Sequence, residues 1–156
     1  MSAPDFTQSG FDPKLFTTFA AQVGHGGALA IAYRDHGPDW VELALPYRPE
    51  LIGVAETGVI ASGPIISLMD MALSMAIWTR LGRFRQQATL DLRVDYLRPA
   101  TPGLDIFGRG ECYAVRRSVA FTRGLAHQGD PADPVAHVTA TFMFTKWWKG
   151  PAQSPG

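Results

Sequence analysis

Residues 64–81 read PIISLMDMALSMAIWTRL, an apolar run of helical length with apolar side chains on nearly every face. A helix of that kind cannot lie on a protein surface, because no face of it is suited to water. Its length falls at the lower edge of the ~17–25 residues a membrane-spanning helix needs, but Asp70 lies inside it and Arg80 near its end. The reading is therefore a buried helix of a globular protein. Its ends are marked: Ser62 or Gly63 at the cap, Pro64 at the first helical position, and Gly82 just past the last turn. With 156 residues, 46% of them apolar and 18% charged, the chain is one ordinary domain. In one small domain, what remains to surround such a helix is a sheet.

The rest of the sequence supplies that sheet. Asp12-Pro13 followed by Lys14, Leu15, Phe16, Phe19 and Ala20 predicts a short capped helix with Gly24 as its stop, within an N-terminal helical segment over 1–27. The main domain spans 28–147 and a disordered tail 148–156. Leu29, Ile31 and Tyr33 alternate with small or polar neighbours, His36 to Asp39 make a turn, and Val41, Leu43 and Leu45 alternate again, which predicts a β-hairpin. Residues 47–58 read as an irregular connection. After the apolar helix come four strand-like runs at 88–97, 104–115, 118–126 and 135–146. Their links are short and rich in Pro, Gly or Arg, which predicts antiparallel neighbours in a meander. A curved antiparallel sheet wrapped around a central helix, an α+β fold, accounts for this order.

Charge excludes some functions. Fourteen basic residues balance fourteen acidic ones, so there is no electrostatic footprint for nucleic acid or an anionic membrane. Cys112 is the one cysteine and cannot close a disulfide within the chain, which suits a reducing compartment. The first ten residues carry neither a positive n-region nor an apolar h-region, so the expected location is the cytoplasm. No phosphate-binding glycine motif lies between a strand and a helix, and no cofactor is predicted.

Asp70 is the residue with chemistry to explain. An ionised carboxylate in an apolar helix costs several kcal/mol unless it is paired or faces water. Ser67 and Ser74, three residues before and four after, form a polar stripe with it. Either the acid bonds to these serines or to Arg80, or it is catalytic. The second feature is the helix start, where free backbone N–H groups around Ser62 and Gly63 can polarise a carbonyl. Eight residues of helix separate Ser62 from Asp70 by about 12 Å at ~1.5 Å per residue. One helix cannot bring both to one carbon, so joint catalysis requires two chains.

The segments Gly58-Val59-Ile60-Ala61-Ser62-Gly63, Leu68-Met69-Asp70 and residues 88–100 (ATLDLRVDYLRPA) resemble the PaaI-like hotdog-fold acyl-CoA thioesterases, and the resemblance spans residues 51–144. It implies a hotdog fold and hydrolysis of an acyl-CoA thioester. The family's catalytic carboxylate falls on Asp70, its hydroxyl residue at the start of the following strand on Thr89, and its polarising backbone amide on Ser62, with Gly63 beside it. In that family acid and amide meet across a dimer interface, so a homodimer, or a dimer of dimers, is implied. Arg98, after the resembling strand, and Arg117, at a corner where the family often carries a basic residue, are the candidates for the CoA phosphates. Where the family has His-Gly-Gly this chain has Ala61-Ser62-Gly63, and Ala55 replaces a frequent asparagine. Those departures motivate a second reading, a non-catalytic acyl-CoA-binding or sensing protein.

The remaining candidates carry less. His25-Gly26-Gly27 spells the family triplet, but it precedes a strand pattern and reads as a turn. His127 and His137 flank a turn and can face each other across two strands, a polar pair rather than a metal site. Ser118 lacks a nucleophile-elbow context. Phe84, Phe107, Phe121, Phe142 and Phe144 offer material for a core or an acyl pocket.

Overall fold

The computed structural model describes residues 10–146. The proposed tail and the first nine residues lie outside them. Two short helices, α1 (Pro13–Ala20) and α2 (Gly24–Leu29), precede a hairpin of β1 (Ala32–His36) and β2 (Trp40–Leu45). A 3-10 turn (Pro49–Leu51) and a small ribbon of β3 (Ile52–Val54) and β4 (Val59–Ile60) lead into α3 (Ser62–Leu81). Four longer strands follow: β5 (Gln87–Tyr96), β6 (Ile106–Val115), β7 (Val119–His127) and β8 (Ala136–Phe144). One antiparallel six-stranded sheet runs β1-β2-β6-β7-β8-β5, with α3 packed mainly on β6 and β2. This is the hotdog arrangement, and the α+β expectation holds.

The close packing of helix on sheet comes from strand residues of small size. Along β6, Gly108, Gly110 and Cys112 turn toward α3, while Phe107, Arg109 and Glu111 point away. A Cβ at Gly110 would stand 2.8 Å from the backbone of Ala72, so the helix backbone rests on the strand itself. Ala120 and Ala126 of β7 and Ala136 and Ala140 of β8 extend the smooth floor. Into it α3 presses Leu68, Met69, Ala72, Leu73, Ala76 and Ile77, all fully buried. Each large apolar side chain removed from water this way contributes roughly 1.5–3 kcal/mol. The helix stops at Gly82, whose φ of 64° is left-handed backbone that favours glycine.

Several local expectations are corrected. The helix begins two residues earlier than its proline implies: Ala61 is the N-cap, without a side-chain cap bond, and Pro64 is the third helical residue. His25-Gly26-Gly27 forms part of α2 rather than a turn, and Leu29 ends that helix instead of opening the hairpin. Ala30 then takes a left-handed φ of 54° to redirect the chain. The link after β5 does not join neighbours. It passes two strands, because β5 pairs with β8 at the sheet edge while β6 pairs with β2 and β7. Three strand spacings are about 14 Å, well within the reach of the nine residues at 97–105. Finally, the sheet covers α3 on one side only. The opposite side is covered in part by α1, through Phe16 against Trp78 with ring centres 5.2 Å apart.

Candidate active site

Asp70 lies on the side of α3 turned away from the sheet floor and is half-buried. Thr89, near the start of β5, donates a hydrogen bond from Oγ1 to Asp70 Oδ1 at 2.8 Å. The serine and arginine partners expected for the carboxylate do not bond to it. Ser67 Oγ pairs with His25 Nε2 at 2.9 Å, the Ser74 carbonyl accepts from Gln87 Nε2 at 3.0 Å, and Arg80 donates to the Cys112 carbonyl at 2.6 Å. Among the described residues, then, the acid is held by one hydroxyl and by no cation. An oriented carboxylate with an oxygen to spare can take a proton from water or attack a carbonyl. Beside it, between α1 and α3, opens a cavity of about 400 Å³.

Ser62, Gly63 and Arg98 lie toward the start of α3. Ser62 and Gly63 are exposed at a helix start that no side chain caps, and the space around Gly63 is open. Uncapped N–H groups at a positive helix end are donors available to an oxyanion. A second cavity, about 460 Å³, is bounded there by Ser62, Ile65, Tyr96 and Arg98. Tyr96 Oη lies 3.4 Å from the Ser62 carbonyl, a long contact. Burial raises the phenol's pKa, and the Ser62 hydroxyl nearby opposes the shift. Arg98 borders this cavity, but its guanidinium also binds Asp133 (Nε to Oδ1, 3.1 Å), the Pro99 carbonyl and Gln128. Arg117 stands exposed at the β6–β7 corner, where its carbonyl accepts from Arg85 at 3.1 Å.

The fold thus joins Asp70 to Thr89 and sets Ser62 and Arg98 around one cavity, but keeps Ser62 apart from Asp70 within one chain and leaves Arg117 at the β6–β7 corner. The residues that sequence reasoning missed are the aromatic ones. Phe16, Phe19 and Trp78 border the cavity at Asp70, and Tyr96 borders the one at Ser62. The five phenylalanines of the sequence analysis go elsewhere: Phe142 is core, Phe84 packs on Trp78, Phe107 and Phe144 lie under Arg34 and Arg85, and Phe121 faces Tyr113. Phe16 and Phe19 at a three-residue spacing were the available signal.

His127 and His137 do not form a pair. His127 accepts from the Gly129 N–H at Nδ1 (3.1 Å), so its proton sits on Nε2, 3.1 Å from Glu42, which in turn pairs with Arg34. No cluster suited to a metal ion occurs among the described residues. Cys112 is buried and unpaired, and desolvation pushes its thiol up to about 11 despite the nearby Arg80 charge. No helix among the described residues is long and apolar enough to cross a membrane.

Comparison with known proteins places this geometry. A family model described as the thioesterase superfamily matches residues 57–135, the stretch that carries α3, Asp70 and Thr89. The medium/long-chain acyl-CoA thioesterase YigI of Escherichia coli is 28% identical over 136 residues, covering 74% of this chain and 82% of that protein. A crystal structure of a Pseudomonas aeruginosa protein superposes with a TM-score of 0.74 at 39% identity, over 83% of this chain and 96% of that one. A variant of the phenylacetic acid degradation protein PaaI from Thermus thermophilus shares the fold, with a TM-score of 0.65 at 24% identity over 76% of this chain and 96% of that one. The chain therefore belongs to the thioesterase superfamily and is a thioester hydrolase of the hotdog fold.

Proposed function

We infer that the protein hydrolyses acyl-CoA thioesters at a site shared between two copies of the chain. The observation that carries the reading is the Asp70 carboxylate, held by Thr89 and open to the cavity beside it. Asp70 activates water or attacks the thioester carbonyl, and the Ser62 amide, with Gly63 beside it, stabilises the oxygen as it becomes negative. The thiolate of CoA leaves and the free acid forms. Arg98 and Arg117 meet the phosphates of the CoA moiety, and no cofactor takes part. A cytoplasmic location accords with the unpaired Cys112.

The shared site follows from β5. It is an edge strand paired only with β8 among the described strands, and its outer edge is a template for another strand. Thr89, bound to Asp70, and Tyr96, beside Ser62, stand on opposite sides of the strand's midpoint. Antiparallel pairing of β5 with its twofold copy along its whole length sets the Tyr96 end of one strand against the Gln87 end of the other. The helix start of one protomer then arrives within about 7 Å of Thr89 in its partner, at ~3.4 Å per residue. The 12 Å separation along one helix is thereby bridged.

Thiol release from a panel of short, medium, long and aromatic acyl-CoAs tests the activity. Asp70→Asn is expected to lower kcat/KM by ~10²–10⁴-fold in a folded protein. Equal turnover in both proteins would remove Asp70 from catalysis, and turnover in neither would support the binding or sensing module suggested by Ala55 and Ala61. Mixing tests the shared site: Ser62→Pro removes the amide hydrogen at a position that tolerates proline. Co-refolded with Asp70→Asn, it is expected to recover about a quarter of native activity, since half the dimers would hold one intact site. A site built within one chain would recover none.

A further inference from the structure

The cavity beside Asp70 does more than border the acid. Apart from Asp70 and Ser74, the side chains around it are apolar. One wall is α3, through Met71, Met75 and Trp78, and the facing wall is α1, through Phe16, Phe19 and Ala20, with Val23 at the exposed lip. The α1 wall lies outside the stretch matched by the superfamily model. It is also fixed at two places. Thr17 is buried, with its hydroxyl 3.7 Å from Met75 Sδ, and Phe11 and Phe16 pack edge-on against Trp78. Beyond the cavity, His25 of α2 binds Ser67, one turn of α3 before Asp70. The histidine that resembled a misplaced family motif thus gives a third anchor, through α2.

We propose that this cavity holds the acyl chain of the substrate, that α1 sets the chain length accepted, and that the substrate class is a flexible acyl group of medium length. This rests on the reading of Asp70 as the group that acts on the thioester. A methylene fills about the space of one water, ~30 Å³, so 400 Å³ holds roughly a dozen such groups. The unbranched thioethers of Met71 and Met75 adapt to a chain that has no fixed shape. The cavity at Ser62 is also lined mainly by apolar side chains, among them Val59, Ile65 and Leu97, but it adds a phenol, a guanidinium and the amides of the helix start, groups that can meet the amide-bearing arm of CoA.

The test measures kcat/KM for saturated acyl-CoAs from acetyl to hexadecanoyl in the native protein, in Ala20→Phe, and in Val59→Phe, which narrows the cavity at Ser62 instead. In the native protein kcat/KM is expected to rise about fourfold for each methylene buried and to level off near ten to twelve carbons. Ala20→Phe is expected to lower the ratio of dodecanoyl to hexanoyl turnover at least tenfold, whereas Val59→Phe leaves that ratio in place. Should Ala20→Phe fail to fold, Val23→Trp at the exposed lip takes its place. A ratio unmoved by either α1 variant, or one collapsed by Val59→Phe, overturns the assignment.

Binding of ω-bromododecanoate, read by bromine quenching of tryptophan fluorescence and assigned to Trp78 with Trp78→Phe, needs no turnover. Quenching without hydrolysis of any acyl-CoA would keep the pocket and remove the catalytic reading of Asp70. Hydrolysis of dodecanoyl-CoA without quenching would do the reverse.

Discussion

Replacing Gly110 by alanine tests whether the contact of α3 with the sheet governs both stability and catalysis. The new Cβ would stand 2.8 Å from the carbonyl carbon and oxygen of Ala72 and from the nitrogen of Leu73. Carbon atoms rest at about 3.5–4.0 Å, so the helix backbone must retreat by about 1 Å. Overpacking of this kind costs roughly 1–3 kcal/mol, of which the stiffer unfolded chain returns about 0.4–1 kcal/mol. The net expectation is a loss of about 1–2 kcal/mol, and about 2–4 °C in Tm per kcal/mol for a chain of this size. Gly108 is the matched control. Its added Cβ would meet Leu68 Cγ at 2.8 Å and Met69 Sδ at 3.0 Å, side-chain atoms that can turn aside for about 0.5–1.5 kcal/mol. Urea and thermal unfolding should therefore rank Gly110→Ala below Gly108→Ala. Activity should separate them further, because Ala72 is two residues from Asp70, and a 1 Å displacement of the carboxylate proposed to act on the thioester costs on the order of 10²-fold. Equal stability in the two variants, or Gly110→Ala as stable and active as the native protein, would refute the argument.

Other outcomes follow from single contacts. Thr89→Val keeps the side chain's shape and removes its bond to Asp70. Since Thr89 is exposed, Tm should hold while kcat falls about tenfold or more, the worth of a hydrogen bond to a charged group, and Thr89→Ser should restore it. Arg98→Ala and Arg117→Ala should each raise KM for acyl-CoA several-fold with kcat little changed, as expected of groups that bind the phosphates equally in ground and transition states. The Cys112 thiol titrates near 11 in the folded protein against about 9 unfolded. Because the folded value is the higher, its contribution is whole below pH 9 and is lost as pH rises through 11. Unfolding titrations of native protein and Cys112→Val should diverge only in that alkaline window, and rapid thiol labelling of the folded protein at pH 8 would contradict the burial.

Much of this architecture was legible in the sequence because it is local. The apolar run with Gly82 behind it specifies α3 through side-chain character and backbone freedom alone, and alternation marks β6, β7 and β8. Asp70 stood out because a carboxylate in such a helix demands an explanation, and its pairing with Thr89 was implied by resemblance to the PaaI-like family. What the tertiary structure decided is non-local. β5 lies beside β8 rather than β6, since hydrogen-bonded pairing is chosen by the whole sheet and a nine-residue link can reach past two strands. The roles of His25, Phe16, Phe19 and Trp78 depend on α1 and α2 folding back onto α3, some forty to sixty residues away along the chain. No periodicity within either segment records that meeting. Helix ends and strand faces are set by neighbours a few residues apart, whereas a cavity exists only where two such faces meet.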